Sequence, residues 1–268
     1  MSKTFLTLST LILVLAASAT QASVYQWTDW QTSNFGSSLP FVASGTITTT
    51  TTTVGVTYTN AQGVSFFQDG VSGGLTDYYA NGSSGNNGRN NAVSPYTSPE
   101  LGANGVDNAP PAAEMIALNR AGDQTLTFSQ SIANPVFAFV SLNGNGYAFN
   151  QDFEILSEAG AGGNDSGYWG SGTSTKSIVD LGGGNFEYQL LGTGEPHGTI
   201  RFLGAFSSVT WRSLTDENWN GFTVGIQGTA DEVFPPGVPE PAAVAIWSLM
   251  GLSAAGVAYA RRSCANRT

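Results

Sequence analysis

Gln124–Ser129 reads Gln-Thr-Leu-Thr-Phe-Ser, and the same rhythm returns in Val136–Leu142, Val-Phe-Ala-Phe-Val-Ser-Leu. Successive side chains of an extended chain point to opposite sides, so Leu126 and Phe128 share one face, and Phe137 and Phe139 another. Ile200 with Phe202 and Val209 with Trp211 repeat the pattern. A period of two marks half-buried strands. Working outward, further strands are predicted at Val24–Trp30, Gly45–Thr50, Val54–Asn60, Val64–Phe67, Met115–Leu118, Asp152–Ser157, Ser177–Asp180, Phe186–Leu190, Thr199–Leu203, Ser208–Ser213 and Phe222–Gln227, with Gly/Asn/Ser turns between them. Between the two termini no window sustains apolar residues at helical spacing. The expectation is an all-β fold, one antiparallel β-sandwich of jelly-roll-like character. Asn81–Asn91 is too polar to bury apolar surface and reads as a mobile loop. Ala159–Thr175 reads as a second, Gly/Ser-rich loop. The threonine run Thr48–Thr53 reads as an edge strand, a solvated face or an O-glycosylated patch.

Charge narrows the partners. Between Ser23 and Gly237 five basic residues face eighteen acidic ones, a net charge of −13. Phosphate binding needs a basic face, so nucleic acid is not expected as a partner. The only cysteine, Cys264, lies near the C-terminus, so the rest of the chain is no disulfide scaffold and must rely on a core. About 215 residues are enough to build one.

The ends carry addresses. Lys3 followed by the apolar stretch Phe5–Ala17 and the small residues around Ala19 and Ala22 has the layout of a secretory signal peptide, residues 1–22, cut after Ala22 or after Ala19. At the other end Val-Pro-Glu-Pro is followed by the uncharged span Ala242–Ala260 and by Arg261-Arg262. As a helix that span would rise about 28 Å, close to the thickness of a bilayer core, with the arginines holding its end in the cytoplasm.

This tail resembles the PEP-CTERM sorting signal of Gram-negative bacteria. The matching residues are Pro239, Glu240 and Pro241, the Gly/Ala-rich span with Trp247, Gly251 and Gly256, and Arg261-Arg262. The extra segment Ser263–Thr268 departs from relatives that stop sooner. Gly194–Gly228, with its Gly-Glu turn and Trp219-Asn220-Gly221-Phe222, resembles the closing part of many proteins that carry such a tail. The resemblance implies export through the Sec machinery and signal peptidase. It also implies retention in the inner membrane by the C-terminal transmembrane helix (residues 242–260) and processing by an exosortase. The resulting layout is a signal peptide 1–22, an extracellular sandwich 23–232, a linker 233–237, a sorting signal 238–262 and a cytoplasmic tail 263–268.

Residues with chemistry are few. His197, the only histidine, sits in the turn Gly-Glu-Pro-His-Gly and reads as an exposed or hydrogen-bonded turn residue, since one histidine makes neither a triad by itself nor a multi-His zinc site. Asp152 and Glu154, on one side of a strand, and Glu217 are the carboxylates available to a glycan hydrolase or lyase. Asp216, Glu217 and Asn218 are candidate oxygen ligands for Ca²⁺, although no D-x-D-x-D-G loop is present; no other cofactor is expected. Trp27, Trp30, Tyr78, Tyr79, Tyr168 and Trp169 are aromatic candidates for sugar stacking. Tyr168-Trp169 leads them, because it lies in a glycine-rich loop; burial as a lid on the core is its competing role. Trp211 is expected in the core. The leading expectation is a non-enzymatic surface or matrix protein associated with extracellular polysaccharide. A secreted carbohydrate-active enzyme and a structural coat protein are the alternatives.

Overall fold

The computed structural model describes residues 22–235, apart from 72–74, 83–85, 87 and 90–92; the expected signal peptide and the tail, with Pro239–Pro241 and Arg261-Arg262, lie outside the described residues. In chain order the strands are β1 (Gln26–Trp27), β2 (Asp29–Ser33), β3 (Phe41–Thr48), β4 (Thr53–Asn60), β5 (Phe66–Asp69), β6 (Glu114–Leu118), β7 (Gly122–Ala133), β8 (Val136–Val140), β9 (Gly146–Phe149), β10 (Glu154–Glu158), β11 (Gly172–Gly182), β12 (Asn185–Gly194), β13 (Gly198–Arg201), β14 (Ala205–Ser213), β15 (Asn220–Ile226) and β16 (Gly228–Thr229), followed by one helical turn, α1 (Ala230–Val233).

They form two antiparallel sheets, as the alternating pattern predicts. One runs β10-β13-β8-β15-β6-β5, with β1 also on β15; the other runs β11-β12-β9-β14-β7-β4-β3-β2, with β16 also on β7. Gln124, Leu126 and Phe128 turn inward from β7 and Thr125 and Thr127 do not. Between the sheets Phe137 of β8 stacks on Phe222 of β15, with centroids 4.8 Å apart and planes at 9°. Trp211, from β14 of the opposite sheet, meets both rings edge-on at 5.0 Å and 5.1 Å. Such pairs contribute roughly 0.5–1.5 kcal/mol each beyond the area they bury.

The first sheet is covered on both faces. Phe137 and Phe139 face the other sheet, whereas Val136, Ala138 and Val140 join a second cluster with Tyr25, Trp27, Tyr79, Tyr96 and Val106. That is why β6 and β8 read as unbroken apolar runs: a strand buried on both sides has no polar face to alternate with. The described residues of one expected loop make defined contacts, and the bounds of the other are corrected. Within Asn81–Asn91, Asn81 is buried and pairs with Gly88, and Arg89 forks onto Asp77 at 2.6 and 3.0 Å. The Gly/Ser-rich segment ends at Ser171, where β11 already begins at Gly172 and pairs along nearly its whole length with β12.

The threonine run also acquires a role. Thr48 and Thr53 pair at the end of the β3–β4 hairpin. Glu232 of α1 accepts hydrogen bonds from the hydroxyls of Thr49, Thr50 and Thr51 and from the Thr51 amide. Its other oxygen accepts from the Thr229 amide, completing a capping box with the Thr229 hydroxyl. These donors hold the Glu232 carboxyl down to about 2 although desolvation opposes them.

Trp211→Ala removes the ring that bridges the sheets. The expected cost is about 3–5 kcal/mol, measured by urea unfolding; a loss below about 1 kcal/mol would show that the stack does not organise the core.

Candidate functional site

Four of the connections that pass from one sheet to the other at one rim frame the site. The register makes this unavoidable: β8 ends at Val140 beside the start of β15 and next to the start of β13, while β9 starts beside the ends of β12 and β14. The connections are 141–145, 159–171, 195–197 and 214–219. They enclose a cleft of about 310 Å³ lined by Ser141, Asn143, Trp169, Glu195, Glu217, Asn218 and Trp219. Sites for small ligands run from roughly 300 to 1,000 Å³.

Several lining side chains are held from behind. Gly167 and Gly170 exchange backbone hydrogen bonds of 2.7 and 3.1 Å and set the turn that carries Tyr168 and Trp169. Beneath it lies His197, fully buried. Its Nδ1 is 2.8 Å from the Glu195 carbonyl and its Nε2 is 3.5 Å from the Trp169 amide. A carbonyl only accepts and an amide N–H only donates, so the ring is the neutral Nδ1–H tautomer. Burial pushes its pKa down to about 4, which agrees. A Cβ on residue 167 would sit 2.2 Å from the His197 ring, so glycine is required there for the turn to rest on the imidazole. His197 is thus a buried pedestal, correcting the expectation that it might stand exposed.

Aromatic side chains form one wall. Trp169 is 43% exposed. Tyr78 stacks on it at 6.4 Å, Tyr168 abuts Tyr78 edge-on at 4.9 Å, and Trp219 lies 6.3 Å from Trp169. Of the pair, Tyr168 is half-buried against Tyr78 and Trp169 is exposed. Trp27, Trp30 and Tyr79, by contrast, are buried in the two cores and cannot serve as platforms.

Glutamates form the other wall. Glu195 accepts from the Ser141 hydroxyl at 2.5 Å and from the Asn143 amide at 2.7 Å. Ser141 has φ 55°, a left-handed conformation rare outside glycine, and such strain concentrates at working sites. Glu217 accepts from Asn220 through Oε1, and Asn220 in turn accepts from the Tyr147 hydroxyl. Its Oε2 is buried with no hydrogen-bond partner among the described residues. Burial raises its pKa to about 7, with the Glu195 charge adding to the rise and the Asn220 hydrogen bond opposing it.

The other candidates are placed elsewhere. Asp216 is exposed and taken by Arg120 and the Ala121 amide, so it turns away from Glu217. Among the described residues no group of three or more acidic, histidine or cysteine side chains is arranged to hold a metal. Asp152 pairs with Lys176, and Glu154 pairs with Arg201 at 2.7 Å. Asp152 lies before β10, so the two do not share a strand face. Sequence reading placed Trp169, Glu217 and Asn218 but missed Ser141, Asn143, Glu195 and Trp219 as site residues. The Gly-Glu turn and Trp219-Asn220 were visible, but nothing in them tells that they meet at one rim.

The chain matches no protein-family model, no curated protein and no solved structure. Among the described residues no helix is long and apolar enough to cross a membrane.

The buried ionisable groups set a pH profile. Glu114, buried against the Trp30 amide, is raised to about 7 mainly by desolvation, from an ordinary value of 4.5. Between those values the folded state holds a proton that the unfolded chain has released, so stability falls as pH rises from about 4.5 to 7. Glu217 acts with the same sign. His197, lowered from 6.5 to about 4, acts oppositely across that range. Below 4.5 the stability supplied by Glu232 is lost. Two carboxyls outweigh one imidazole, so Tm is expected to peak near pH 5 and decline toward pH 7. Glu114→Gln should flatten that decline in a calorimetric series, and an unchanged slope would refute the assignment.

Proposed function

We propose that this is an exported cell-surface or matrix protein that binds glycan through the rim cleft without turning it over. The observation that carries the reading is the half-exposed Trp169, held rigid on His197 beside amide and carboxylate groups. An accessible indole face packs on the apolar face of a sugar ring, and neighbouring polar groups select its hydroxyls. The signal-peptide layout, the tail with its Pro239-Glu240-Pro241 and Arg261-Arg262, and the acidic, cysteine-free body support passage out of the cell, a stay in the inner membrane and exosortase processing. Partners of that route are the Sec machinery, signal peptidase and the exosortase; the destination is the envelope or an exopolysaccharide matrix.

A second reading has one specific support. Glu195 and Glu217 share a cleft, and burial raises Glu217 to about 7. A carboxyl raised toward neutrality beside a second carboxyl is the usual equipment of a glycan hydrolase. Against it, both oxygens of Glu195 already accept hydrogen bonds from this chain. Turnover of a glycan that Glu217→Gln abolishes would establish the enzyme.

For binding, Trp169→Ala is expected to weaken retention on the host's own polysaccharide at least tenfold, about 1.4 kcal/mol, measured by affinity electrophoresis; wild-type protein that no glycan retards would end the reading. For the route, mass spectrometry of the extracellular protein should find a C-terminus at or before the Pro239–Pro241 motif. An intact Arg261-Arg262 end on that protein would refute processing.

A further inference from the structure

Among the described residues, the lining of the rim cleft includes no cation. The five basic residues between Ser23 and Gly237, namely Arg89, Arg120, Lys176, Arg201 and Arg212, each close an ion pair with a carboxylate, and none of those carboxylates is Glu195 or Glu217. The two glutamates therefore face the same cleft with only neutral donors around them, Ser141 and Asn143 on one and Asn220 on the other. Carboxylates set side by side in a partly dry pocket repel one another and are stabilised by a positive charge placed between them. The opposite wall has the same preference. The faces of Trp169 and Trp219 carry the negative side of the ring quadrupole, which attracts an ammonium group. Cleft, aromatic wall and uncompensated acids thus ask for one chemistry.

We infer that the rim cleft selects a sugar bearing a protonated primary amine, an amino-sugar unit of a deacetylated hexosamine polymer, and this rests on the glycan reading above. The ring's C–H face lies on Trp169. The ammonium, a donor of three hydrogen bonds, lies against the wall formed by Glu195 and Glu217. Uronate and sulfated sugars are excluded by the same glutamates and by the chain's net charge of −13 between Ser23 and Gly237. Calcium is the poorer occupant. It asks for six to eight oxygens, whereas both Glu195 oxygens are engaged and the facing wall is aromatic. Because Glu217 holds a proton near neutrality, seating the ammonium should release part of it, which calorimetry in buffers of different ionisation heat reads directly.

A matched series of β-1,4-linked disaccharides makes the test. Cellobiose, di-N-acetylchitobiose and its fully deacetylated form share one skeleton and differ at position 2, which carries hydroxyl, acetamide or ammonium. Each is titrated into the purified full chain in detergent at about 150 mM salt, where screening limits non-specific attraction to about 8 Å. The expected result is at least tenfold tighter binding of the diamine, about 1.4 kcal/mol. The preference of the diamine over cellobiose should vanish in Glu217→Gln and in Glu195→Gln. Trp169→Ala should lose all three sugars. Equal affinity for the three sugars overturns the amine inference and leaves the glycan reading standing. No binding of any of them by a chain that shows the wild-type unfolding transition overturns both. A diamine preference that survives both glutamate substitutions places the amine elsewhere, and displacement of the diamine by calcium chloride alone makes the cleft a metal site; either result overturns the inference.

Discussion

The stack of Phe137 on Phe222, closed edge-on by Trp211, is the contact on which the remaining architecture depends. It is made of residues from three strands distant in sequence, and it joins the sheets face to face. Once these rings meet, the register of β8, β15 and β14 is set, because sliding a strand by one residue would turn every inward ring outward. The register in turn decides where the strands end. The four connections that frame the cleft emerge side by side because β8, β13, β15, β9, β12 and β14 all terminate or start at one level. The cleft is therefore a consequence of core packing, and its residues need no contact with each other to be assembled.

Buried polar groups then convert that geometry into a rigid site. Asn145 is a clear case. Its side-chain oxygen accepts from the Gly146 and Thr215 amides and the Thr215 hydroxyl, and its amide reaches Ser213, so one residue ties together two of the rim loops. His197 does the same for the turn that carries Trp169. Groups left charged and dry are costly unless compensated, and the body arranges compensation for every cation while leaving two acids in the cleft.

Much of the fold was legible. Alternation in Gln124–Ser129 and in Ser208–Ser213 located β7 and β14 because one face of each is solvated and the period survives in the residues. The unbroken runs of β6 and β8 located those strands too, but their second buried face was invisible: nothing in Val136, Ala138 or Val140 names Tyr25, Tyr79 or Tyr96 as cover. β9 was missed because Gly-Tyr-Ala-Phe is too short to display a period. β11 was foreshortened because its Gly, Ser and Thr residues look like loop until β12 is set beside them. At the site, Trp169 was readable from its glycine surroundings. Glu195 was not, since its importance comes from Ser141 and Asn143, more than fifty residues earlier in the chain.

The clasp of Thr49, Thr50 and Thr51 on Glu232 has a mechanical meaning. β15 begins at the rim and ends at the far pole, where β1, the β3–β4 turn and α1 gather, so the last described residues lie at the pole opposite the cleft. A body tethered there and gripped at the cleft would carry tension along its strands. Pulled in that direction, the hydrogen bonds of a ladder share the load in shear instead of unzipping singly, and the threonine clasp is the first fastening the pull would meet.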